Sequence, residues 1–211
     1  WKDGFNYSAI NNFAAKRAKG DLLLFLNNDT EFIDAGTLRE LVISALLPGS
    51  GASGAMLYYD DDTIQHGGIT IGLGGFAANA LWSLTDRDEK YFPFSICEHE
   101  MSGVTAACLM VQKEVYEQVG GFDEAFVVAL NDVDFCLKIR EAGYGILFNP
   151  YAKLYHYESK SRGTEDTKEK KERFQSEIDR FQAKWETEIL NGDPYYNPNL
   201  TQHRADYTMD V

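Results

Sequence analysis

The sequence predicts an α/β fold: a mixed sheet flanked by helices, with a hairpin insertion and a long helix near the C-terminal end. Three observations carry this. Unbroken apolar runs such as Leu22-Leu23-Leu24-Phe25-Leu26 read as strands buried on both faces. Segments with helical spacing alternate with those runs. Two apolar runs meet at Asp60-Asp61-Asp62-Thr63, which gives one antiparallel hairpin and excludes a purely parallel sheet.

The elements follow in order. Tyr7, Ile10, Phe13, Ala14 and Ala18 share a helical face, with Asn6 as the cap and Gly20 at the end. The buried strand 22–26 stops at the polar cluster Asn27-Asn28-Asp29-Thr30. Residues 36–47 form a second helix, ended by Pro48-Gly49. A strand over 51–59 turns at 60–63 and returns through 64–71. Residues 72–100 have no sustained period and read as a long excursion over the surface. A strand at 104–111 and a short helix at 113–119 follow, ended by Gly120-Gly121. A helix spans 131–142, capped by Gly143. Two short strands, 144–148 and 153–157, flank Pro150. A charged helix over 165–190 carries Phe174, Ile178, Phe181 and Trp185 on one stripe.

With 211 residues, 44% of them apolar, the chain suffices for a single domain, 1–211, with a sizeable core. The net charge of −13 repels nucleic acid and anionic bilayers, and no basic run offsets it. An anionic small ligand is still admissible where a divalent cation or a few local donors neutralise it. Cys97, Cys108 and Cys136 are odd in number and widely spaced, so buried free thiols in a reducing compartment are expected. No segment reaches the ~20 apolar residues that span a bilayer.

Strands buried on both faces deliver ligands to their carboxyl ends, which makes 27–30 a candidate site. Its side chains suit a turn, and equally a hard cation such as Mg2+, Mn2+ or Ca2+. Asp60-Asp61-Asp62-Thr63 lacks the later Gly and the Glu of a calcium loop and reads as a solvated turn; His66 beyond it is a weak pocket candidate. Asn131-Asp132-Val133-Asp134 caps a helix and complements its dipole, and the same dipole keeps Asp132 ionised as a proton acceptor. His156, between two tyrosines at a strand end, is either a packed histidine or a metal ligand.

Taken together, the stretches 6–20, 22–30, 103–111, 120–144 and 151–163 resemble the inverting family-2 glycosyltransferases of GT-A fold, in particular bacterial enzymes that build surface polysaccharides. The resemblance implies that Asn27 and Asp29 occupy the Asp-x-Asp metal positions, with His156 completing the shell around Mn2+ or Mg2+. It makes Asp132 the general base and places Asn12, Asn28, Thr105, Asn131 and Asp134 on the substrate side. The implied partners are a nucleotide-sugar donor and a glycan or lipid-linked acceptor, at a cytoplasmic location peripheral to the inner membrane face.

Several positions depart from the family pattern: Asn27 stands for the first Asp, Asn131 for Glu, and Asn11 and Ala14 for Arg and Gly. Nothing in the chain resembles the family's opening nucleotide-binding strand. A domain truncated at its N-terminus is therefore expected, poorly active alone, with an open sheet edge inviting self-association. The implied reaction is a single inverting displacement. The competing reading is a non-catalytic sugar- or cation-binding module; a two-carboxylate hydrolase is disfavoured because no opposed acid pair is visible.

Overall fold

The computed structural model describes residues 2, 4–82, 84–85, 94–157, 167–205 and 207–209. The elements run α1 (Tyr7–Ala15), β1 (Leu22–Leu26), β2 (Thr30–Phe32), α2 (Thr37–Ala45), β3 (Ser50–Tyr58), β4 (Ile64–His66), β5 (Ile69–Ile71), β6 (Ala77–Asn79) and β7 (His99–Met101). They continue β8 (Cys108–Gln112), α3 (Lys113–Gln118), α4 (Asn131–Glu141), β9 (Gly145–His156), α5 (Lys168–Lys184) and α6 (Glu186–Asn191).

Seven strands form one mixed sheet, with the order β1-β8-β3-β9-β2, β4 beside β3 and β7 beside β9. Among the described strands only β3 and β9 are parallel; β1, β2, β4 and β7 join antiparallel, as does β8 against both its neighbours. Helices cover both faces, and the strands show why. On β1, Leu23 and Phe25 pack with Val115, Tyr116, Phe135 and Ile139 of α3 and α4. Leu22 and Leu24 pack on the opposite side with Leu41 and Ala45 of α2. Period-two alternation sends successive apolar side chains into different layers, so both faces need apolar residues. A third cluster joins Phe126, Leu130 and Val133 to Ile178, Phe181 and Trp185 of the C-terminal helices.

Several boundaries differ from expectation. The segments 144–148 and 153–157 are one strand, β9, whose register against β3 shifts by several residues between Ala55 and Met56 as the chain bulges around Pro150. The return strand 64–71 breaks at Gly68, whose φ of +96° is open to glycine, and β5 leaves to pair with β6. The stretch 72–100 contains β6 and β7 rather than irregular chain alone, and part of it, at 83 and 86–93, lies outside the described residues. The helix foreseen at 165–190 breaks at Trp185, whose backbone leaves the helical region. Residues 158–166 also lie outside the described set. Cys97 is exposed, against the expectation of burial, whereas Cys108 and Cys136 are buried free thiols. Among the described residues no helix is long and apolar enough to cross a membrane.

Candidate functional site

The strand predicted over 104–111 begins only at Cys108, and the four residues before it build the centre of the site. Released from sheet pairing, their backbone groups reach elsewhere. Thr105 N–H donates to His66 Nε2 (3.3 Å), Ala106 N–H to Asp132 Oδ2 (3.1 Å), and Ala107 C=O accepts from Asn27 N–H (3.0 Å). Three consecutive residues thus connect the end of β1, the start of α4 and the hairpin strand β4.

On the β1 side the chain reverses immediately. Thr30 Oγ1 donates to Asn27 C=O (2.8 Å), and β2 then pairs antiparallel with β9, Thr30 opposite His156. Tyr157 N–H donates to Asp29 C=O (2.8 Å). Asn27, Asp29 and His156 meet in this way: His156 Nε2 lies 3.2 Å from Asn27 Nδ2 and 3.3 Å from Asp29 Oδ1. Asn28 is exposed at the tip of the reversal.

The tautomer of His156 follows from its neighbour. Gln65 Nε2 donates to the carbonyl of His156 (3.2 Å), and a carbonyl only accepts, so the amide oxygen faces His156 Nδ1 at 2.6 Å. That oxygen in turn only accepts, which puts the proton on Nδ1. Nε2, which accepts from the Asn27 amide, also lies beside Asp29 Oδ1, a buried oxygen that accepts no hydrogen bond. A buried carboxylate oxygen with no donor, next to an imidazole nitrogen whose only named donor is an amide, fits a cation. The donor set of one carboxylate, one imidazole and one amide suits Mn2+ or Mg2+, with open positions for phosphate oxygens. Among the described residues no group of three or more His, Cys, Asp and Glu side chains is placed to hold a metal alone.

On the α4 side, Leu130 adopts φ +60°, a conformation that β-carbon sterics disfavour, and redirects the chain into the helix. The loop before it is pinned on every side. Tyr7 N–H donates to Val127 C=O (2.8 Å), Ser8 Oγ to Phe126 C=O (2.6 Å), and Glu177 of α5 accepts from Val128 and Ala129 N–H (2.8 and 3.3 Å). Asp132 emerges half-buried. Its burial raises the carboxyl above the ordinary range, opposed by donors from Ala106 N–H, the Thr105 hydroxyl and Val133 N–H. His66 sits alongside, 1% exposed, with Nδ1 2.8 Å from Asn79 Oδ1. Burial lowers its pKa to about 4, in keeping with a neutral ring whose Nε2 accepts from Thr105.

The other candidates occupy different places. The Asn12 amide is committed within the protein: it donates to Phe122 C=O (2.9 Å) and Glu124 Oε1 (3.0 Å), and accepts from Phe122 N–H (3.0 Å) and the Tyr116 hydroxyl. Gly121 permits this, since φ is +68° and a β-carbon there would strike Tyr116 and Asn12. Asn131 is buried and donates to Val128 C=O (2.9 Å), fixing the loop. Asp134, fully buried, accepts from Trp185 Nε1 (2.9 Å) and Lys184 Nζ (2.6 Å), tying α4 to the C-terminal helices rather than to Asp132. Gln65 and Glu177 gave no signal in the sequence, because their roles arise from contacts across 91 and 48–49 residues.

No family model matches the chain. It is 44% identical over 206 residues to the uncharacterised protein y4gI of Sinorhizobium fredii, covering 97% of this chain and 23% of that protein. It is 40% identical over 209 residues to the O-antigen biosynthesis protein RfbC of Myxococcus xanthus, covering 98% of this chain and 16% of that one. The chain therefore spans less than a quarter of the length of these two relatives. Among solved structures, GalNAc-T7 with UDP, GalNAc and Mn2+ superposes with a TM-score of 0.67 over 90% of this chain and 36% of its own, at 13% identity. This is the GT-A glycosyltransferase fold. The mannosyltransferase PcManGT of Pyrobaculum calidifontis, in complex with GDP-Man and Mn2+, agrees, with a TM-score of 0.58 over 89% of this chain and 45% of its own, at 16% identity. At 26% identity over 153 residues, the GT-A domain also resembles the N-acetylglucosaminyl-diphospho-decaprenol L-rhamnosyltransferase of Mycobacterium tuberculosis, over 68% of this chain and 49% of that enzyme.

Proposed function

We propose that this GT-A domain transfers a sugar, with inversion, from a nucleotide-sugar donor to a hydroxyl of a glycan or lipid-linked acceptor in the synthesis of a surface polysaccharide. The observation that carries the reading is the knitting of Asn27, Asp29 and His156 to Asp132 through the backbone of residues 105–107. Likeness to an O-antigen biosynthesis protein and to a rhamnosyltransferase supports the chemistry, and two structural neighbours solved with Mn2+ support the cation.

Asp29, His156 and Asn27 are the residues that would hold the ion. A divalent cation bound there neutralises charge developing on the departing nucleoside diphosphate. The protein's own part is to orient and to take a proton. Gln65 holds the His156 ring so that Nε2 faces Asp29. Asp132 accepts the proton of the acceptor hydroxyl as that oxygen attacks the anomeric carbon from the side opposite the leaving group. Its raised pKa makes it a better proton acceptor than an exposed carboxylate, while the donors from Ala106 and Val133 keep it ionised. Because Asn27 supplies no charge, the cation is held more weakly before the nucleotide arrives than with two carboxylates.

Asp132→Asn tests the assignment. Release of nucleoside diphosphate in the presence of acceptor should fall by about 10²–10⁴-fold, the usual worth of a general base, while nucleotide affinity stays within a factor of a few. Undiminished turnover would remove Asp132 from the mechanism.

A further inference from the structure

His66 is buried, yet it neither holds the cation nor takes the proton in the reaction described above. A buried imidazole is costly to place unless its hydrogen bonds are made, and what those bonds fix indicates what the ring does. Its tautomer follows from its partners. Thr105 N–H only donates, so His66 Nε2 is the acceptor (3.3 Å), and the ring proton sits on Nδ1 and is donated to Asn79 Oδ1 (2.8 Å). Backbone bonds bring the ends of β4 and β6 together: Gly67 N–H donates to Ala80 C=O (3.1 Å), and Ala80 N–H to Gly68 C=O (2.8 Å). A β-carbon on Gly67 would crowd that Ala80 carbonyl at 3.1 Å, so glycine permits the approach. The Phe148 ring stands edge-on to the imidazole, with centroids 6.4 Å apart, and limits its tilt.

What His66 holds is the segment that holds Asp132. Residues 104–107 precede β8 and lie outside its ladder, so tertiary bonds place them. Thr105 N–H is held by His66, the Ala106 carbonyl by the Tyr7 hydroxyl (2.8 Å), and the Ala107 carbonyl by Asn27 N–H (3.0 Å). From this segment the Thr105 hydroxyl and Ala106 N–H (3.1 Å) both reach the Asp132 carboxylate. Four residues are thereby linked in series: Asn79 orients His66, His66 fixes Thr105, and Thr105 with its neighbour Ala106 grips Asp132.

We propose that His66, steered by Asn79, is a positioning residue for the proposed base: it fixes the Thr105 and Ala106 donors on Asp132 and so holds that carboxylate in its working orientation. His66 exchanges no proton in the reaction. Its surroundings keep it neutral, since Asn79 and Thr105 carry no charge and a charged His156 would repel a second cationic ring. Cys136, which α4 turns toward the same segment, bonds to Val104 and remains a neutral thiol, its pKa pushed up to about 12 by burial. The catalytic meaning of this arrangement rests on the glycosyltransferase reading; the coupling of His66 to Asp132 does not.

Carbon-13 NMR titration of the side-chain carboxyls tests the coupling on the protein alone, with the Asp132 signal assigned by its loss in Asp132→Asn. His66→Met keeps the bulk and removes the acceptor for Thr105 N–H. With its donors loosened, Asp132 should bind its proton about tenfold more tightly, so that its midpoint rises by about one pH unit. Asn79→Ala, at a half-buried position, keeps the test open should His66→Met not fold, and should raise the midpoint by about half as much. His66→Gln, whose amide oxygen can stand in for Nε2, should return the midpoint to within about 0.3 pH unit of the unaltered protein. An unmoved midpoint in both His66→Met and Asn79→Ala would overturn the proposal. So would the same rise in His66→Gln as in His66→Met, because the acceptor would then not be what matters. Undiminished nucleoside diphosphate release by Asp132→Asn is a different failure: it would sink the enzymatic reading and leave the coupling that the titration reads.

Discussion

At the scale of single residues, two titratable groups beside the same backbone segment, the half-buried Asp132 and the buried His66, should respond to pH in ways that can be checked separately. Burial raises the Asp132 carboxyl above its ordinary value of 3.8. A base works only when ionised, so kcat/KM should rise with pH along a limb centred above 3.8; a profile flat down to that value would contradict the role. His66 acts on stability instead. Its pKa is about 4 in the folded chain against 6.5 when exposed, so between these values the unfolded chain binds a proton that the native one does not. Stability therefore rises with pH across that window, by on the order of 3 kcal/mol in all, and is lost as pH falls through it. Urea unfolding of the protein and of His66→Gln at the two ends of the window checks this: the variant should lose most of the slope. Taken singly, Asp29, Asp132 and His156 read equally well as a turn residue, a helix-start acid and a packed histidine; the resemblance of the joined stretches to glycosyltransferases is what singled them out. Gln65 was invisible, since a glutamine in a short strand has no local signature and its function is a contact 91 residues away.

At the scale of elements, the C-terminal helix α5 acts as a brace on the loop that presents Asp132. Glu177 is 3% exposed and accepts from two loop N–H groups, with Arg173 3.6 Å away one turn earlier. Glu177→Ala leaves those donors in a sparsely hydrated place, at a cost of about 1–3 kcal/mol each where burial is complete. Chemical denaturation should show that loss, and turnover should fall more than donor affinity because the proposed base loses its alignment; an unchanged midpoint would argue against the brace. The charged helix and its apolar stripe were readable from periodicity, whereas its break at Trp185 was not, since the indole turns aside to bind Asp134. Likewise Val104 to Ala107 has the composition of a strand. It is drawn out of the sheet by tertiary hydrogen bonds to His66 and Asp132 that outweigh local preference.

At the scale of the molecule, a chain of net charge −13 is proposed to handle a nucleoside diphosphate, and the cation is what reconciles the two. The mixed sheet was legible because its strands are apolar on both faces and alternate with helices. The register shift around Pro150, the departure of β5 at Gly68 and the added strand β2 were not, because each depends on which strands become neighbours. The proposed site depends on that pairing: β2 against β9 is what sets Asp29 beside His156. Calorimetric titration of Mn2+ in the presence of nucleoside diphosphate tests this most directly. Asp29→Ala and His156→Ala should each weaken Mn2+ binding by at least about tenfold, and Gln65→Ala by about 10–100-fold through loss of ring orientation. Mn2+ affinity equal to that of the unaltered protein in both Asp29→Ala and His156→Ala would contradict the account.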